Sequence, residues 1–564
     1  MTTLPAMLQT AFEKRPRDEV LVERVNGRWT PTSTAALRER IARVASALRG
    51  RGLEQGERVA LWSPNRVDWV VADLGILYAG CVVVPVFATQ ALDQVAFIVR
   101  HSESRLVFVD TQARAALLRR RIGPEIEIVV FDDDGPNGLR ALESAGTPTW
   151  NIPSIEPTDL AVLMYTSGTT GEPKGVMLSH ANLATTTANA FDYAFPTLTG
   201  GDNTLTVLPF AHIYEHIVLY GELERAVSLH ICRDPANLLN DLRDVRPVLM
   251  TAVPRVFEHV LAGILMKARS AGGLRARLVP WALTTGREYM RARCFGRPSL
   301  AQRLLYAIAR RLVLRKLRPL LGLDRLRFFV SGSAPLHVDV ALTFAAADIL
   351  IIEGYGTTEC SPVISVNRLE DNRFGTVGKP IPQVEVRLAE DGEILVRGPG
   401  VMLGYYKDDE ADAEAFEEGW YRTGDVGERD DDGYLRIVDR KKELFKTTSG
   451  KFIAPSRIEA ALSRSPFIGQ VAVIAEGRDA PAALISPNRE YVAGMSESEI
   501  RTLVRREVAA YSRDLAPYER VRRIALLPRD LTIEDGELSP TLKVRRRVVE
   551  ARYGSLIDSS FSCM

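Results

Sequence analysis

The residues with the densest chemistry lie between positions 165 and 175. The sequence there, YTSGTTGEPKG, holds three glycines, four Ser/Thr hydroxyls and one lysine in eleven residues. Such a loop can wrap backbone N–H groups and hydroxyls around phosphate oxygens. Glycine lets the main chain approach closely, and a nearby lysine supplies positive charge. The spacing, G-x-x-G-x-x-K-G, differs from the Walker A pattern. Thr166, Ser167, Gly168, Thr169, Thr170, Gly171 and Lys174 are therefore the candidates to hold a triphosphate. The competing reading is a flexible Ser/Thr/Gly linker. The flanks argue against it: residues 159–164 read as a buried strand, and Ser179-His180 open a helix soon after 176–178.

Three later stretches carry complementary chemistry. Residues 328–335, FFVSGSAP, and 350–359, LIIEGYGTTE, each run from an apolar strand into a small-residue turn. Tyr355, between two glycines, suits stacking on a flat base. Thr358 can bond a phosphate oxygen, and Glu359 can hold Mg²⁺, a cation that takes hard oxygen ligands and leaves phosphates to supply the rest. Asp425, after Thr-Gly in YRTGD, can accept from ribose hydroxyls. Lys543, presented by a Pro-Thr turn in LSPTLKVRRR, can meet charge building on a phosphoryl group. Each has an ordinary alternative: a packed tyrosine, a turn-capping aspartate, a surface basic cluster. Together they describe a nucleotide site beyond the carboxyl ends of strands in an open α/β sheet.

The elements that must position these groups alternate strand with helix. Residues 20–25 and 28–30 flank Asn26-Gly27, the favoured hairpin turn. Leu37, Ile41, Val44, Ala45 and Leu48 fall on one helical face. Strands are expected at 58–62, 81–85 and 105–109, with a helix from Asn65 to Tyr78. The alternation continues to about residue 330 and argues for α/β subdomains with mostly parallel sheets. From about residue 440 the pattern changes to short strands (471–475, 482–485), a helix near 497–510 and a basic end. This predicts a large N-terminal domain, 1–439, and a small α+β C-terminal domain, 440–564.

Composition narrows the function classes. A chain of 564 residues, 46% hydrophobic and 25% charged with a net charge of +1, is globular and multidomain, with no global bias toward nucleic acid. Five scattered cysteines show no metal-ligand spacing and suggest reduced thiols in the cytoplasm. No apolar run approaches a membrane span, and the N-terminus has no signal-like core. One segment is biased: residues 261–327 carry sixteen Lys/Arg, opposed only by Glu288 and Asp324. Within it, 299–321 reads as a helix with Leu304, Leu305, Ile308 and Leu312 on one side and most arginines on the other. It could lie on an anionic membrane surface, guide an anionic substrate, or be a solvated basic face.

Five motifs in order, YTSGTTGEPKG, GYGTTE, YRTGD, VDRKKELFKTTSGKFIAP (438–455) and LSPTLKVRRR, resemble the core motifs of the adenylate-forming enzymes. The resemblance covers roughly residues 20–555. LPFAHIYEHIVLYGEL (208–223), TAVPRVFEHV (251–260) and residues 418–446 are similar to the long-chain fatty acyl-CoA synthetase branch. His216, Ser456 and Arg545 depart from its usual residues. The resemblance implies a mobile C-terminal domain and two steps: a fatty carboxylate and ATP give acyl-AMP and pyrophosphate, then CoA displaces AMP. It implies Lys543, Glu359 and Thr358 in catalysis, with Mg²⁺ on Glu359 and Thr166. Asp425 and Arg440 would bind ribose, and Ser333, Ala334 and Tyr355 would frame adenine. Lys442 would be the hinge, Gly450 would leave room for the CoA arm, and His212 and His216 would lie near the acyl and CoA path. An acyl-AMP ligase loading a carrier protein, and a non-catalytic lipid- or nucleotide-binding relative, remain alternatives. Acyl length and oligomeric state are not legible.

Overall fold

The computed structural model describes residues 2–150, 152–167, 173–446, 452–474, 480–513, 515–539, 543–558 and 561–562. Two large sheets form the N-terminal part. The first has seven strands and a parallel centre made by Arg58–Trp62, Val82–Val86, Leu106–Val109, Glu127–Val130 and Leu160–Ser167. The second has nine strands. Its parallel centre runs from Leu21–Val25 through Ser228–Ile231, Asn203–Thr206, Leu249–Ala252 and Phe328–Ser331 to Ile351–Tyr355. Strands buried on both faces read as continuous apolar runs, which is why VALW and VVVPV were recognisable in the sequence. The hairpin forms as expected: Leu21–Val25 pairs with Arg28–Thr32, and Asn26 and Gly27 take φ of +49° and +79°, as a two-residue turn requires.

The helix Val67–Tyr78 is apolar apart from Asp68 and Asp73 and is buried throughout except at Asp68, so it lies inside the protein. Trp69 packs against Phe210 and His216 there. The described flanks of the glycine-rich stretch are two paired strands. Leu160–Ser167 pairs antiparallel with Pro173–Ser179, with Thr166 opposite Lys174, and residues 168–172 lie outside the described residues. The helix His180–Ala194 starts only after that second strand, where Ser179 and Asn182 form a reciprocal cap. The phosphate-loop candidates therefore do not adjoin a helix N-terminus.

A smaller sheet, in which Trp420–Arg429 pairs with Glu393–Arg397 and Leu435–Arg440, closes this part. Beyond it, Ile468–Ile474, Ala482–Pro487, Arg523–Leu526 and Phe561–Ser562 make a four-stranded sheet. Because strand side chains alternate, Val471, Val473, Ala483 and Ile485 feed one core while Ala472, Ile474, Ala482 and Leu484 feed the opposite one. These cores are separate from those of the N-terminal sheets. Polar contacts cross between the two parts: Arg464 pairs with Asp339 at 2.7 Å, and Arg255 donates to the Gly469 carbonyl at 3.1 Å.

Candidate active site

A cleft of about 3520 Å³ lies between the ends of the large sheets, the smaller sheet and the C-terminal domain. Tyr355 and Arg440 enter it from strand ends, and Asp425 from the middle of the strand Trp420–Arg429. Tyr355 closes the strand Ile351–Tyr355, and its hydroxyl donates to Asp425 Oδ2 at 2.8 Å. Asp425 faces Arg440 across the strand pair, with Arg440 Nε 3.4 Å from Asp425 Oδ1. The Thr-Gly-Asp turn works locally: Thr423 Oγ1 donates to the Ile394 carbonyl at 2.8 Å and accepts from the Asp425 N–H at 3.1 Å. Gly424 sits at φ +69°. The threonine thus ties the turn, and the Asp425 carboxylate is left to point into the cleft. Burial raises the Asp425 pKa, opposed by Arg440, Tyr355 and Lys543. For Arg440, desolvation is outweighed by Asp425, Glu359 and Glu443, and the guanidinium stays charged.

Glu359 lies on the single turn Thr358–Cys360, where its Oε1 accepts from the Tyr405 hydroxyl at 3.0 Å. Lys174 sits 5.3 Å over the Tyr405 ring and pairs with Asp408 at 3.2 Å. Tyr405 and Asp408 were not anticipated. They arrive because Gly404–Tyr405 pairs with the strand carrying Val176 and Met177. The sequence signal, a glycine followed by two tyrosines, is faint. A lone carboxylate with hydroxyl neighbours fits Mg²⁺, which uses one or two carboxylates and takes its other ligands from phosphates and water. Among the described residues no group of three His, Cys, Asp or Glu side chains forms a cage for a metal ion.

Ser333 and Ala334 line the cleft after Phe328–Ser331, with Ser333 held at φ +68°. Gly332 beside them is close to Tyr214, whose ring lies 3.2 Å from where a Cβ would stand. Lys543 reaches the cleft from the C-terminal domain. Its N–H donates to Ser539 Oγ at 3.0 Å, and the Ser539 N–H donates to the Lys543 carbonyl at 2.8 Å, so Ser539 fixes the Lys543 backbone. The Lys543 side chain is water-accessible yet ringed by the cleft walls; this desolvation, with Arg440, lowers its pKa. Its charge acts on His212 and Asp425, groups of the other domain. His212 caps the helix Ile213–Glu224, with Nδ1 accepting from the Tyr214 N–H at 3.1 Å. Burial and then Lys543 depress its pKa to about 4. The neutral ring therefore carries its proton on Nε2, as this hydrogen bond assigns it.

His216 is placed elsewhere. One helical turn beyond His212, it is wholly buried and does not line the cleft. Its Nε2 lies 3.0 Å from Asp73 Oδ1 and 2.7 Å from the Tyr220 hydroxyl, which donates to Asp73 Oδ2 at 3.0 Å. The expectation that His216 borders the acyl path is corrected: the ring is wholly buried, held at Nε2 by Asp73 and Tyr220, and does not line the cleft. Of the remaining candidates, Thr166, Lys174 and Thr358 line the cleft, and Ser167 ends its strand. Lys442 also faces the cleft, next to Lys441, which pairs with Asp391 and with Glu393 at 2.9 Å. Gly168, Thr169, Thr170, Gly171 and Gly450 lie outside the described residues.

A two-domain α/β protein whose strand ends hold a tyrosine–aspartate–arginine cluster, joined by a lysine from the smaller domain, defines a nucleotide-binding enzyme class. The chain belongs to the AMP-binding enzyme family: residues 8–406 match the model of the AMP-binding enzyme, and 443–564 that of its C-terminal domain. It is 34% identical to long-chain-fatty-acid–CoA ligase FadD15 of Mycobacterium tuberculosis, over 98% of this chain and 96% of that one. It is 31% identical to the peroxisomal long chain acyl-CoA synthetase 7 of Arabidopsis thaliana, over 92% and 80%. Among solved structures, the fold is similar to the adenylation domain of a carboxylate reductase from Mycobacterium chelonae, with a TM-score of 0.80, 22% identity, and 99% and 91% of the two chains covered. The anthranilate CoA ligase AuaEII, solved with anthranoyl-AMP, gives a TM-score of 0.76 at 20% identity, over 98% and 97%. These likenesses agree with the adenylate-forming fold expected from the motifs.

Proposed function

We propose that the protein is a long-chain fatty acid–CoA ligase that forms acyl-AMP and then the CoA thioester. The observation that carries this reading is Lys543, brought from the small domain into one cleft with His212, Asp425 and Arg440. Full-length relatives called long-chain-fatty-acid–CoA ligases supply the acid and the acceptor.

In the first step a carboxylate oxygen attacks the α-phosphorus of ATP, and the bond to the bridging oxygen breaks, releasing pyrophosphate. Asp425 accepts from the ribose hydroxyls while Tyr355 and Arg440 fix its position. Ser333 and Ala334 form the wall beside the base. Lys543 offsets charge on the carboxylate and α-phosphate as they meet. Lys174 and the glycine-rich stretch steady the β- and γ-phosphates that leave. Mg²⁺, held on Glu359 with Thr166 nearby, would supply further charge neutralisation to the phosphates. His212, neutral with its proton on Nε2, donates toward the acyl carboxyl. In the second step the CoA sulfur attacks the acyl carbon, the acyl–phosphate bond breaks, AMP leaves and the thiol proton passes to solvent.

The two half-reactions need different faces of the cleft. The division at 439/440, with Lys442 as the hinge, allows the 440–564 domain to withdraw Lys543 and bring in the segment containing Gly450. Two further elements of the reading are cytoplasmic location and contact of the basic segment 261–327 with a membrane. No helix among the described residues is long and apolar enough to cross one. Cys81, Cys232, Cys294 and Cys360 are free thiols, which agrees with a reducing compartment.

The test is product analysis with palmitate, ATP and Mg²⁺, with CoA or with a phosphopantetheinylated carrier protein as acceptor. Palmitoyl-CoA and stoichiometric AMP are expected with CoA. Thioester formed on the carrier alone would replace this reading by that of a carrier-loading ligase.

A further inference from the structure

Asp339 stands where three parts of the protein meet. The chain passes from Ser333 and Ala334, at the cleft wall, through His337 into the helix Val338–Ala346. At the helix start the Asp339 N–H donates to His337 Nδ1 at 3.1 Å, which fixes this stretch of backbone. The Asp339 carboxylate is buried and takes two guanidinium groups. Arg291, on the helix Gly273–Phe295, binds Oδ1. Arg464, from the C-terminal domain, donates to Oδ2 at 2.7 Å and lies 3.5 Å from His337 Nε2. Burial works to raise the Asp339 pKa, but Arg464, Arg291 and Arg287 bring it below its ordinary value, so the contact is ionic.

Arg464 is aimed by its own domain. It follows the helix Pro455–Leu462, and its guanidinium lies 5.2 Å over the ring of Tyr511, the last residue of the helix Glu497–Tyr511. The side chains of Arg464 and Asp339 are only 12% and 7% exposed. Water competes away most surface ion pairs, and this one is largely shielded from it. Five residues further on, the Gly469 carbonyl accepts from Arg255 of the large domain at 3.1 Å, so the same edge of the small domain is held twice. Neither domain needs the pair for its own charge balance. Arg291 already faces Asp339 inside the large domain, and Tyr511 holds Arg464 inside the small one. What the pair adds is the orientation of one domain on the other.

We infer that Asp339 and Arg464 are positioning residues whose contact seats the C-terminal domain so that Lys543 reaches the cleft for acid activation. A turn about Lys442 draws Arg464 off Asp339, and both charges regain water as Lys543 leaves. The pair therefore favours the state of the first half-reaction and is given up for the second. Asp339 lies only five residues beyond Ala334, so this hold on the small domain is built on the segment assigned to the base. The catalytic consequence rests on the two-step ligase reading; the seating of Lys543 by the pair does not.

Half-reaction kinetics of the full chain test the pair, with Arg464→Gln, Asp339→Asn and Arg291→Gln compared. A hydrogen bond to a charged partner is worth roughly tenfold or more in an equilibrium. Palmitate-dependent exchange of pyrophosphate into ATP should therefore fall about tenfold in Arg464→Gln and in Asp339→Asn, and no further in the double variant. Reaction of preformed palmitoyl-AMP with CoA should hold at the wild-type rate or rise. Arg291→Gln removes the partner from the same domain and should leave the ratio of the two half-reactions unchanged. A merely structural Asp339 would instead lower both half-reactions, and Arg291→Gln would match Arg464→Gln. A second readout needs no turnover. Lys543 helps to depress the His212 pKa, so Arg464→Gln should raise that pKa above about 4, in the same direction as loss of the lysine, as read from the ring proton resonances. The converse is a covalent hold. Asp339→Cys with Arg464→Cys, bridged by bismaleimidoethane, should regain pyrophosphate exchange and lose palmitoyl-CoA formation relative to the unbridged variant. An unchanged ratio of half-reactions in Arg464→Gln, an unmoved His212, or a bridged protein that makes palmitoyl-CoA at the unbridged rate overturns the inference. A wild type that forms acyl-AMP from no acid would refute the ligase reading, and the His212 readout would then decide the seating by itself.

Discussion

Replacing Lys543 by alanine should separate the two half-reactions. The lysine reaches the cleft from the C-terminal domain, its backbone held by Ser539. The charges it meets there belong to the other domain or to the junction: Asp425, Arg440 and His212. Removing one preorganised donor aimed at developing charge typically costs 10²–10³ in rate, or about 2.7–4 kcal/mol. The lower end applies here, because the Arg440 guanidinium remains in the site and Asp425 already offsets part of the Lys543 field. Palmitate-dependent pyrophosphate release should thus fall about a hundredfold. Preformed palmitoyl-AMP should still react with CoA at close to the wild-type rate, since the proposed domain turn withdraws the lysine for that step. An independent readout follows from the electrostatics: with the lysine gone, the His212 pKa should rise above about 4 while burial, the larger cause, still holds it below its ordinary value, visible in the ring proton resonances of His212. Equal losses in both half-reactions would refute the role given to Lys543, and an unmoved His212 would refute its placement.

Two further substitutions probe the buried polar groups. His216→Ala takes from Asp73 Oδ1 its ring partner inside the core, leaving Asp73 with Tyr220 alone, and should cost about 1–3 kcal/mol in urea denaturation. The acyl-length profile should stay that of the wild type; a shifted profile would return His216 to the acyl path. Glu215, which accepts from Thr206 and from Thr251 at 2.7 Å, has its carboxyl pushed up to about 7 by burial. A carboxyl raised in the folded state binds its proton more tightly there than in the unfolded chain. Its share of stability is therefore present below about pH 4.5 and is lost as pH rises toward 7. Glu215→Gln removes that dependence, so its stability relative to wild type should improve by about 2–3 kcal/mol between pH 5 and 8, measured by denaturant midpoint. A constant difference across that range would show that Glu215 does not change protonation there.

Much of the fold could be read because its strands are buried on both faces. Arg58–Trp62 was recognised to the residue, and the Asn-Gly turn specified the first hairpin. The gathering of Tyr355, Asp425, Arg440 and Lys543 in one cleft could be anticipated because small-residue turns follow the apolar strands 328–331 and 351–355. What escaped depends on contacts between distant segments. Tyr405 reaches Glu359 only through the pairing of residues 404–405 with 176–177. His216 follows the capping His212 by one turn, yet its ring is buried on Asp73 and Tyr220, and no local signal distinguishes a ring directed at a cleft from one directed at a buried aspartate. The helix at 300–320 shows a further limit. Its amphipathic period was evident, but a period identifies faces and not which of them is covered. Only the packing against Tyr289 and Ala346 shows that the leucine stripe looks out.

The central claim is that acid activation passes through a bound acyl-adenylate. Exchange of labelled pyrophosphate into ATP, with palmitate present and CoA omitted, tests it most directly. The account predicts exchange that requires palmitate, needs no CoA, and falls about a hundredfold in Lys543→Ala. Exchange that appears only when CoA is added, or that proceeds equally without any fatty acid, would contradict it.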